Sequence, residues 1–117
     1  MSEADPTPLL VACLCAQWCG TCRDYRAVFD ALAGELDGAA QFVWVDIEDE
    51  ADALGDIDVE NFPTLLVARG DTVLFFGTLT PHPPTLSRLV RSALAGEQRP
   101  VAEARLVGLP AKVRALA

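Results

Sequence analysis

The hydrophobic and polar positions in the first part of this chain change from a continuous run to helical spacing and back. An apolar run rich in β-favouring residues predicts a buried strand over Leu9–Cys15. Apolar residues then recur every three or four positions, which predicts a helix from about Cys19 or Gly20 to about Asp37. These residues are Tyr25, Val28, Phe29, Leu32 and Leu36. A second apolar run, Gln41–Asp46, completes what we interpret as a parallel βαβ unit with a right-handed crossover.

The middle of the chain predicts a short helix and then a hairpin. The helix covers about Glu50–Leu54, within an acid-rich segment that has no basic residue. The strands Thr64–Ala68 and Thr72–Phe76 are joined by the tight turn RGD, which is typical of a hairpin. A proline-rich stretch, TPHPP, then introduces a helix with one apolar face, made of Leu86, Leu89, Val90 and Leu94. The predicted order is β-α-β-(α)-β-β-α.

The segment after Gly96 has apolar residues at helical spacing from Val101 to Val107. It is either a helix packed on the rest of the chain or a segment that binds a partner. The sequence shows no internal repeat and no linker, so we expect one α/β domain over residues 1–117. Its core covers about residues 9–95, and residues 96–117 form a C-terminal extension.

Composition and charge narrow the possible functions. The 117 residues are 51% hydrophobic and 22% charged, which is enough apolar material for a packed core. The formal net charge is -8, which disfavours nucleic acid as a partner because phosphates require basic patches. The N-terminus lacks the basic region of a signal peptide, and the first apolar run is too short to span a bilayer. We therefore expect a cytoplasmic protein with no membrane partner.

All four cysteines fall within ten residues, as Cys13, Cys15, Cys19 and Cys22. Cys19 and Cys22 form a C-x-x-C at the junction of strand and helix, where free N–H groups and the helix dipole stabilise a thiolate. Their sulfurs are expected to face each other and to form a redox-active Cys19–Cys22 disulfide, with no bound cofactor. In the reduced form, the Cys19 thiolate attacks a substrate disulfide, and Cys22 resolves the mixed disulfide, which leaves the Cys19–Cys22 disulfide.

The residues next to the two thiols suggest how a substrate approaches them. Gly20 permits close approach of a substrate backbone, and Thr21 occupies a position that tunes the neighbouring thiolate. AQWCGTC after an apolar strand, then FPT opening a later strand, then a hairpin with FG, resembles the thioredoxin superfamily. The resemblance covers roughly Leu9 to Leu94.

This resemblance implies a thioredoxin-like α/β fold, with a central mixed four-stranded sheet flanked by helices and an extra C-terminal helical tail. It also implies protein-disulfide oxidoreductase activity. It makes Cys19 the nucleophile and Cys22 the resolving thiol. Pro63 matches the family's cis-proline beside the cysteines, and Phe62 before it would offer backbone groups to a substrate peptide. Gly77 matches a glycine that lines the same groove, and Trp18 matches the tryptophan that flanks the site. The implied partners are disulfide-containing client proteins and an upstream thiol reductant.

The chain departs from the family pattern at several positions. Thr21 replaces a proline, and only eight residues precede Leu9, so we expect the strand and helix that usually precede the active-site strand to be missing. We expect the segment after Gly96 to cover the surface that this leaves exposed. Cys13 stands where the family usually keeps a buried aspartate, and Trp44 stands where it keeps the lysine that pairs with it. A buried carboxylate at this position can accept the proton of the resolving thiol. Because Cys13 takes its place here, Cys13 is a candidate modulator of the reaction.

Other interpretations of the cysteines remain open at this stage. Cys13 and Cys15 are i and i+2 in a strand and point to one face, so simple core packing is the favoured interpretation. The alternative places Cys13 beneath Cys22, where it relays a disulfide. A metal site made of all four thiolates is disfavoured, because such sites usually use two C-x-x-C knuckles on separate loops.

The function itself also has two rivals. The chain can be a dedicated redox partner of one client, with the segment after Gly96 as the docking element. It can instead be a non-catalytic binding module that uses a thioredoxin fold to hold a protein.

Overall fold

The strands form a single sheet with helices on both faces in the computed structural model, which describes residues 9–16, 19–36, 38–54, 57, 63–80, 82–103 and 106–116. The strands are β1 (Leu9–Cys15), β2 (Ala40–Asp46), β3 (Thr64–Arg69) and β4 (Thr72–Thr78). The helices are α1 (Gly20–Glu35), α2 (Ala51–Leu54), α3 (Pro83–Leu94) and α4 (Leu109–Arg114). The strand order is β2-β1-β3-β4, with β1 parallel to β2 and the other pairs antiparallel. The expected mixed four-stranded α/β architecture is confirmed.

Strand β1 is the centre of the sheet, and this explains its unbroken apolar sequence. It pairs with β2 on one side and β3 on the other, so both edges of β1 form backbone hydrogen bonds with a neighbouring strand. All seven of its residues are buried, because helices cover both faces of the sheet. The alternation of side chains sends Cys13 and Cys15 to one face and Leu10 and Leu14 to the other.

Helices α1 and α3 cover the face that holds the cysteines. Of the apolar residues predicted to form one stripe of α1, Tyr25, Phe29 and Leu32 are buried, and the others lie closer to the surface. They pack with Leu86 and Val90 of α3 over β1 and β3. This packing holds the start of α1 beside the carboxyl end of β1. The cysteines at the start of the helix therefore lie near those of the strand.

The other face of the sheet is covered by α2 and by the segment after Gly96. Leu106, Leu109 and Val113 are at most 2% exposed and pack in one cluster with Leu10 and Leu14 of β1. The expectation that this segment covers the sheet is therefore confirmed. Of its two interpretations, the structure favours the helix packed on the rest of the chain.

The helix predicted over Val101–Val107 is wrong in position. Residues 101–103 are not helical, and the N–H of Val101 donates to the carbonyl of Val73 at the edge of the sheet. Helix α4 begins only after Gly108, which has φ +81° and caps the helix in the left-handed region that glycine tolerates. Pro110 lies in the first turn, where its missing N–H costs no hydrogen bond. Within the described ranges no helix is long and apolar enough to cross a membrane.

Candidate functional site

Cys19 is the residue from which α1 starts. Its backbone is extended, with φ -83° and ψ 119°, and it is the N-cap of the helix. The Cys19 N–H donates to the carbonyl of Ala16 at 3.0 Å, which turns the chain from the end of β1 into α1. No side chain caps the helix, and its first turn has no acidic residue. The N–H groups and positive dipole end thus remain available to a sulfur at this position.

Cys22 lies in the first turn of α1, points into the core and is only 1% exposed. Its sulfur forms a disulfide with Cys15, the last residue of β1, and the two Cα atoms are 5.8 Å apart. The expected Cys19–Cys22 disulfide is therefore not the one present in this structure. Cys15 takes that place because it points from the end of β1 towards the helix face that carries Cys22. Cys19 is a free thiol and is half-buried.

Cys15 is the site residue that the sequence did not reveal, because its place in the strand favours simple core packing. The structure confirms that Cys15 is buried and shows in addition that it forms a disulfide. The signal was present in the sequence: a cysteine at the last position of the strand and a cysteine in the first turn of the following helix. The expectation that Cys13 lies beneath Cys22 must be corrected too, because Cys15 occupies that position.

Cys13 is a free thiol deeper in the same face of β1. Its Sγ lies 3.7 Å from the Sγ of Cys15, so three sulfurs form one buried cluster. Burial raises the pKa of Cys13 to about 12, and the nearby charge of Arg26 opposes this rise without overcoming it. Cys13 consequently remains protonated at neutral pH.

Tyr25 is the polar neighbour of this sulfur cluster. It is 1% exposed, and its hydroxyl has no hydrogen-bond partner among the described residues. Its pKa is raised, first by burial and second by the Cys13 sulfur, which places the two groups close together. Among the residues that the structure describes, no carboxylate is fully buried in the core that contains Cys13 and Tyr25.

The other predicted site residues lie at two places. Pro63 is buried and directly precedes β3; continuing the β1–β3 register by one residue sets it opposite Cys15. Its carbonyl accepts the N–H of Leu79 at 3.2 Å, which joins the end of β4 to this edge. Gly77 pairs with Leu65, which pairs in turn with Cys13, so it lies two residues further into the sheet. Pro63 and the cysteines are thus brought together at one end of the sheet.

The residues between and beside the cysteines face solvent. Gly20 and Thr21 are both exposed in the first turn of α1. A methyl group added at Gly20 would come no closer than 3.9 Å to the Arg23 guanidinium, so the surface over Gly20 is open. Trp18 and Phe62 fall outside the described residues.

A groove of about 370 Å³ opens beside Cys22, between α1 and the end of β2. Trp44 forms one wall, with the Arg26 guanidinium 4.8 Å from its ring centroid and Phe29 edge-on at 5.6 Å. The remaining lining consists of Ala16, Arg23, Asp46 and Asp49. The groove provides mixed charge and an aromatic surface next to the disulfide.

Metal ligands do not converge in the part of the chain that the structure describes. No group of three or more His, Cys, Asp or Glu side chains there is arranged to hold an ion. The disulfide also occupies two of the four sulfurs that a tetrathiolate site would need.

Known proteins share both sequence and fold with this chain. A family model described as Thioredoxin matches residues 3–78. Thioredoxin of Staphylococcus saprophyticus is 35% identical over 54 residues, which make up 46% of this chain and 52% of that protein. Thioredoxin H2-1 of Oryza sativa subsp. japonica is 38% identical over 69 residues, or 59% of this chain and 49% of that protein. The chain thus spans about half the length of the curated relatives it matches.

Solved structures extend the likeness to more of the chain. The germline-specific thioredoxin protein Deadhead of Drosophila melanogaster superposes with a TM-score of 0.67 at 19% identity, covering 75% of this chain and 83% of that one. Oxidised mitochondrial thioredoxin 3 of Saccharomyces cerevisiae gives a TM-score of 0.64 at 19% identity, with 75% and 81% covered. At such identities the comparison shows that the fold is shared.

Proposed function

Because this chain belongs to the thioredoxin family, we propose that it reduces disulfides of client proteins by thiol–disulfide exchange through Cys19 and Cys22. The observation that carries the proposal is the state of the two thiols. Cys22 holds a disulfide inside the protein, while Cys19 is a free and partly exposed thiol at the start of the same helix. Thiol–disulfide exchange requires an accessible nucleophile, for which Cys19 is the candidate, and a resolving thiol, which Cys22 becomes once its bond to Cys15 has been reduced.

The reaction starts at Cys19, the partly exposed free thiol at the N-cap of α1. In the reduced protein this thiolate attacks a client disulfide, forms a mixed disulfide and releases the first client thiolate. Cys22, in the first turn of the same helix, then attacks the Cys19 sulfur and releases the second. An upstream thiol reductant returns the protein to its dithiol form, and no bound cofactor takes part.

Client recognition is assigned to the residues around this end of the sheet. We assign Pro63 and Phe62 to a backbone that pairs with an extended client segment, as in β-strand addition. Gly20 leaves room for that segment above α1, since its surface is open. Thr21, Trp18 and Gly77 complete the proposed substrate-binding set. The reaction is assigned to the cytoplasm, whose reducing conditions keep Cys19 available as a thiol.

Insulin reduction by dithiothreitol tests the proposal. The wild type should precipitate the insulin B chain many times faster than dithiothreitol alone, and Cys19→Ser should return the rate to that background. Cys22→Ser should instead accumulate a mixed disulfide on Cys19, because the first step remains and the second is lost. Val107→Ala is the control, since it changes an exposed residue outside the proposed site and keeps both thiols. A wild-type rate equal to background would exclude the reductase and favour the non-catalytic binding module.

The rival function, a redox partner dedicated to one client, receives less support from the segment after Gly96 than the general reductase does. The docking role requires apolar side chains that are free to meet a partner, but Leu106, Leu109 and Val113 are buried against the sheet. A general reductase therefore remains the proposal.

A further inference from the structure

The disulfide in this structure uses a cysteine that the C-x-x-C mechanism does not need. Cys15 is 1% exposed and belongs to a strand whose other residues are all buried. It nevertheless lies within bonding reach of Cys22, with 5.8 Å between their Cα atoms. Cys22 is thus bonded to Cys15 across the helix–sheet interface, and not to Cys19, the N-cap of α1 that the C-x-x-C mechanism assigns as its partner.

We propose that Cys15 is a second resolving thiol, which takes the disulfide from the Cys19–Cys22 pair into the core. This inference rests on the proposed reductase function and extends it by one step. After a client has been reduced, the Cys15 sulfur attacks the Cys22 sulfur. The Cys15–Cys22 bond forms, the Cys19–Cys22 bond breaks, and Cys19 leaves as a thiolate.

This step balances without any further reagent. One disulfide is broken and one is formed, so no electrons enter or leave the protein. Cys15 loses a proton and Cys19 regains one, directly or through solvent. The reverse exchange returns the bond to Cys19–Cys22, where an external reductant reaches it.

Position selects Cys15 over Cys13 for this step, and burial makes Cys13 a poor nucleophile. Cys15 is the last residue of β1, beside the start of α1, whereas Cys13 lies two residues deeper in the strand. Cys13 is 3.7 Å from Cys15 and is not bonded to it. A thiol with a pKa of about 12 supplies only about one thiolate in 10⁵ at pH 7, which makes Cys13 a poor nucleophile.

The second step changes what the oxidised protein presents to its surroundings. With a Cys19–Cys22 bond, the partly exposed sulfur is part of a disulfide. With the Cys15–Cys22 bond, the disulfide sulfurs belong to residues that are 1% exposed, and Cys19 is a thiol again. The buried Cys15–Cys22 disulfide is then protected from external thiols until the Cys19 sulfur attacks the Cys22 sulfur.

Native alkylation of the oxidised protein measures this rearrangement directly. The reduced full-length protein is oxidised with one equivalent of diamide and treated with iodoacetamide without denaturant. The wild type should gain one adduct, on Cys19, because Cys13 is buried. Cys15→Ala should gain none, since the disulfide then stays on Cys19–Cys22 and the remaining thiol, Cys13, is buried. Cys13→Ala is the matched control: it removes the neighbouring sulfur from the same face and should gain one adduct, as the wild type does.

Disulfide mapping requires the right protease. Trypsin leaves all four cysteines on residues 1–23, because the first basic residue is Arg23. Cleavage after Trp18 with chymotrypsin separates Cys13 and Cys15 from Cys19 and Cys22. The two fragments should remain linked in the oxidised wild type and separate in Cys15→Ala. Acid quenching at increasing times should show separable fragments first and linked fragments later.

Two outcomes distinguish this inference from the function on which it rests. An oxidised wild type with no alkylated Cys19 and separable fragments overturns the role of Cys15, even if insulin reduction is intact. Failure of the wild type to reduce insulin overturns the reductase, whichever pair diamide forms. Circular dichroism and urea unfolding check that Cys15→Ala is folded. Should it not fold, Cys15→Ser with the same readouts replaces it.

Discussion

Cys13 lies directly opposite Trp44 in the parallel pairing of β1 with β2. The thioredoxin pattern places an aspartate and a lysine at these two positions, so an uncharged pair has replaced a charged one. On the β2 side of this pair, the aromatic ring of Trp44 packs edge-on against Phe29. The buried region next to the resolving thiol therefore has no carboxylate from this position to accept a proton.

Restoring the carboxylate should change how the reaction depends on pH. In Cys13→Asp, burial raises the pKa of the new carboxyl towards neutrality, because the charged form loses its water. Ionisation of this group should then add a proton acceptor for Cys22 and raise the insulin reduction rate at neutral pH. The measurement is the rate between pH 6 and pH 9. Cys13→Asn has the same shape without the ionisation and should keep the wild-type profile. Superimposable profiles for Cys13→Asp and the wild type would show that this position does not govern proton transfer.

Alkaline conditions should destabilise the wild type more than Cys13→Ala. Burial raises the pKa of Cys13 from 9.0 to about 12, so in this range the folded state keeps a proton that the unfolded chain releases. Its contribution is fully present below pH 9 and is lost as the pH rises towards 12. Between pH 8.5 and pH 10.5 the wild type should lose about 2 kcal/mol more free energy of unfolding than Cys13→Ala. Urea unfolding with excess phosphine reductant measures this difference, and equal losses would contradict it.

Removing the Tyr25 hydroxyl should leave the fold intact and stabilise it. The hydroxyl is buried without a hydrogen-bond partner among the described residues, and such a group costs about 1–3 kcal/mol. Tyr25→Phe should therefore raise the free energy of unfolding by about 1 kcal/mol in urea titrations. Tyr25→Leu is the control, because it also removes part of the ring and should destabilise the protein. A loss of stability in Tyr25→Phe would mean that the hydroxyl has a partner after all.

Helix α4 should contribute to stability and not to chemistry. Leu109 is 2% exposed on the sheet face opposite the cysteines, so Leu109→Ala should cost about 3 kcal/mol. Val107, which is 81% exposed, provides the matched control, and Val107→Ala should stay within about 0.5 kcal/mol of the wild type. Insulin reduction by the folded fraction should be unchanged in both variants. If the two variants lost a comparable amount of stability, the packing of Leu109 against the sheet would not be the contact that stabilises the protein.

Much of the sheet was predictable because its hydrophobic pattern is local. The predicted bounds of β1 coincide with Leu9–Cys15, and β3 starts at Thr64 as expected. Strand β4 extends two residues beyond Phe76, where pairing with β3 continues through Gly77 and Thr78. Helix α1 ends at Glu35 instead of about Asp37, close to Gly38 with its φ of +87°.

The cysteine pairing was not predictable, because it depends on how a helix lies against a sheet. The C-x-x-C spacing alone favours Cys19 as the partner of Cys22, and no sequence pattern records the 5.8 Å between the Cα atoms of Cys15 and Cys22. Helix α4 was misplaced for a related reason. The apolar spacing of Val101–Val107 is shared by a segment that runs along the edge of the sheet, where Val101 bonds to Val73. Tertiary contacts decided both cases.

The cover that α4 provides has a consequence for the order of synthesis. Leu10 of β1 and Leu109 of α4 share one apolar cluster, although they lie far apart in the sequence. A ribosome therefore releases the central strand long before the helix that covers one of its faces. Until then that face offers Leu10 and Leu14 to chaperones and proteases. We expect nascent chains that stop short of α4 to remain protease-sensitive, and folding to finish only after α4 has left the ribosome.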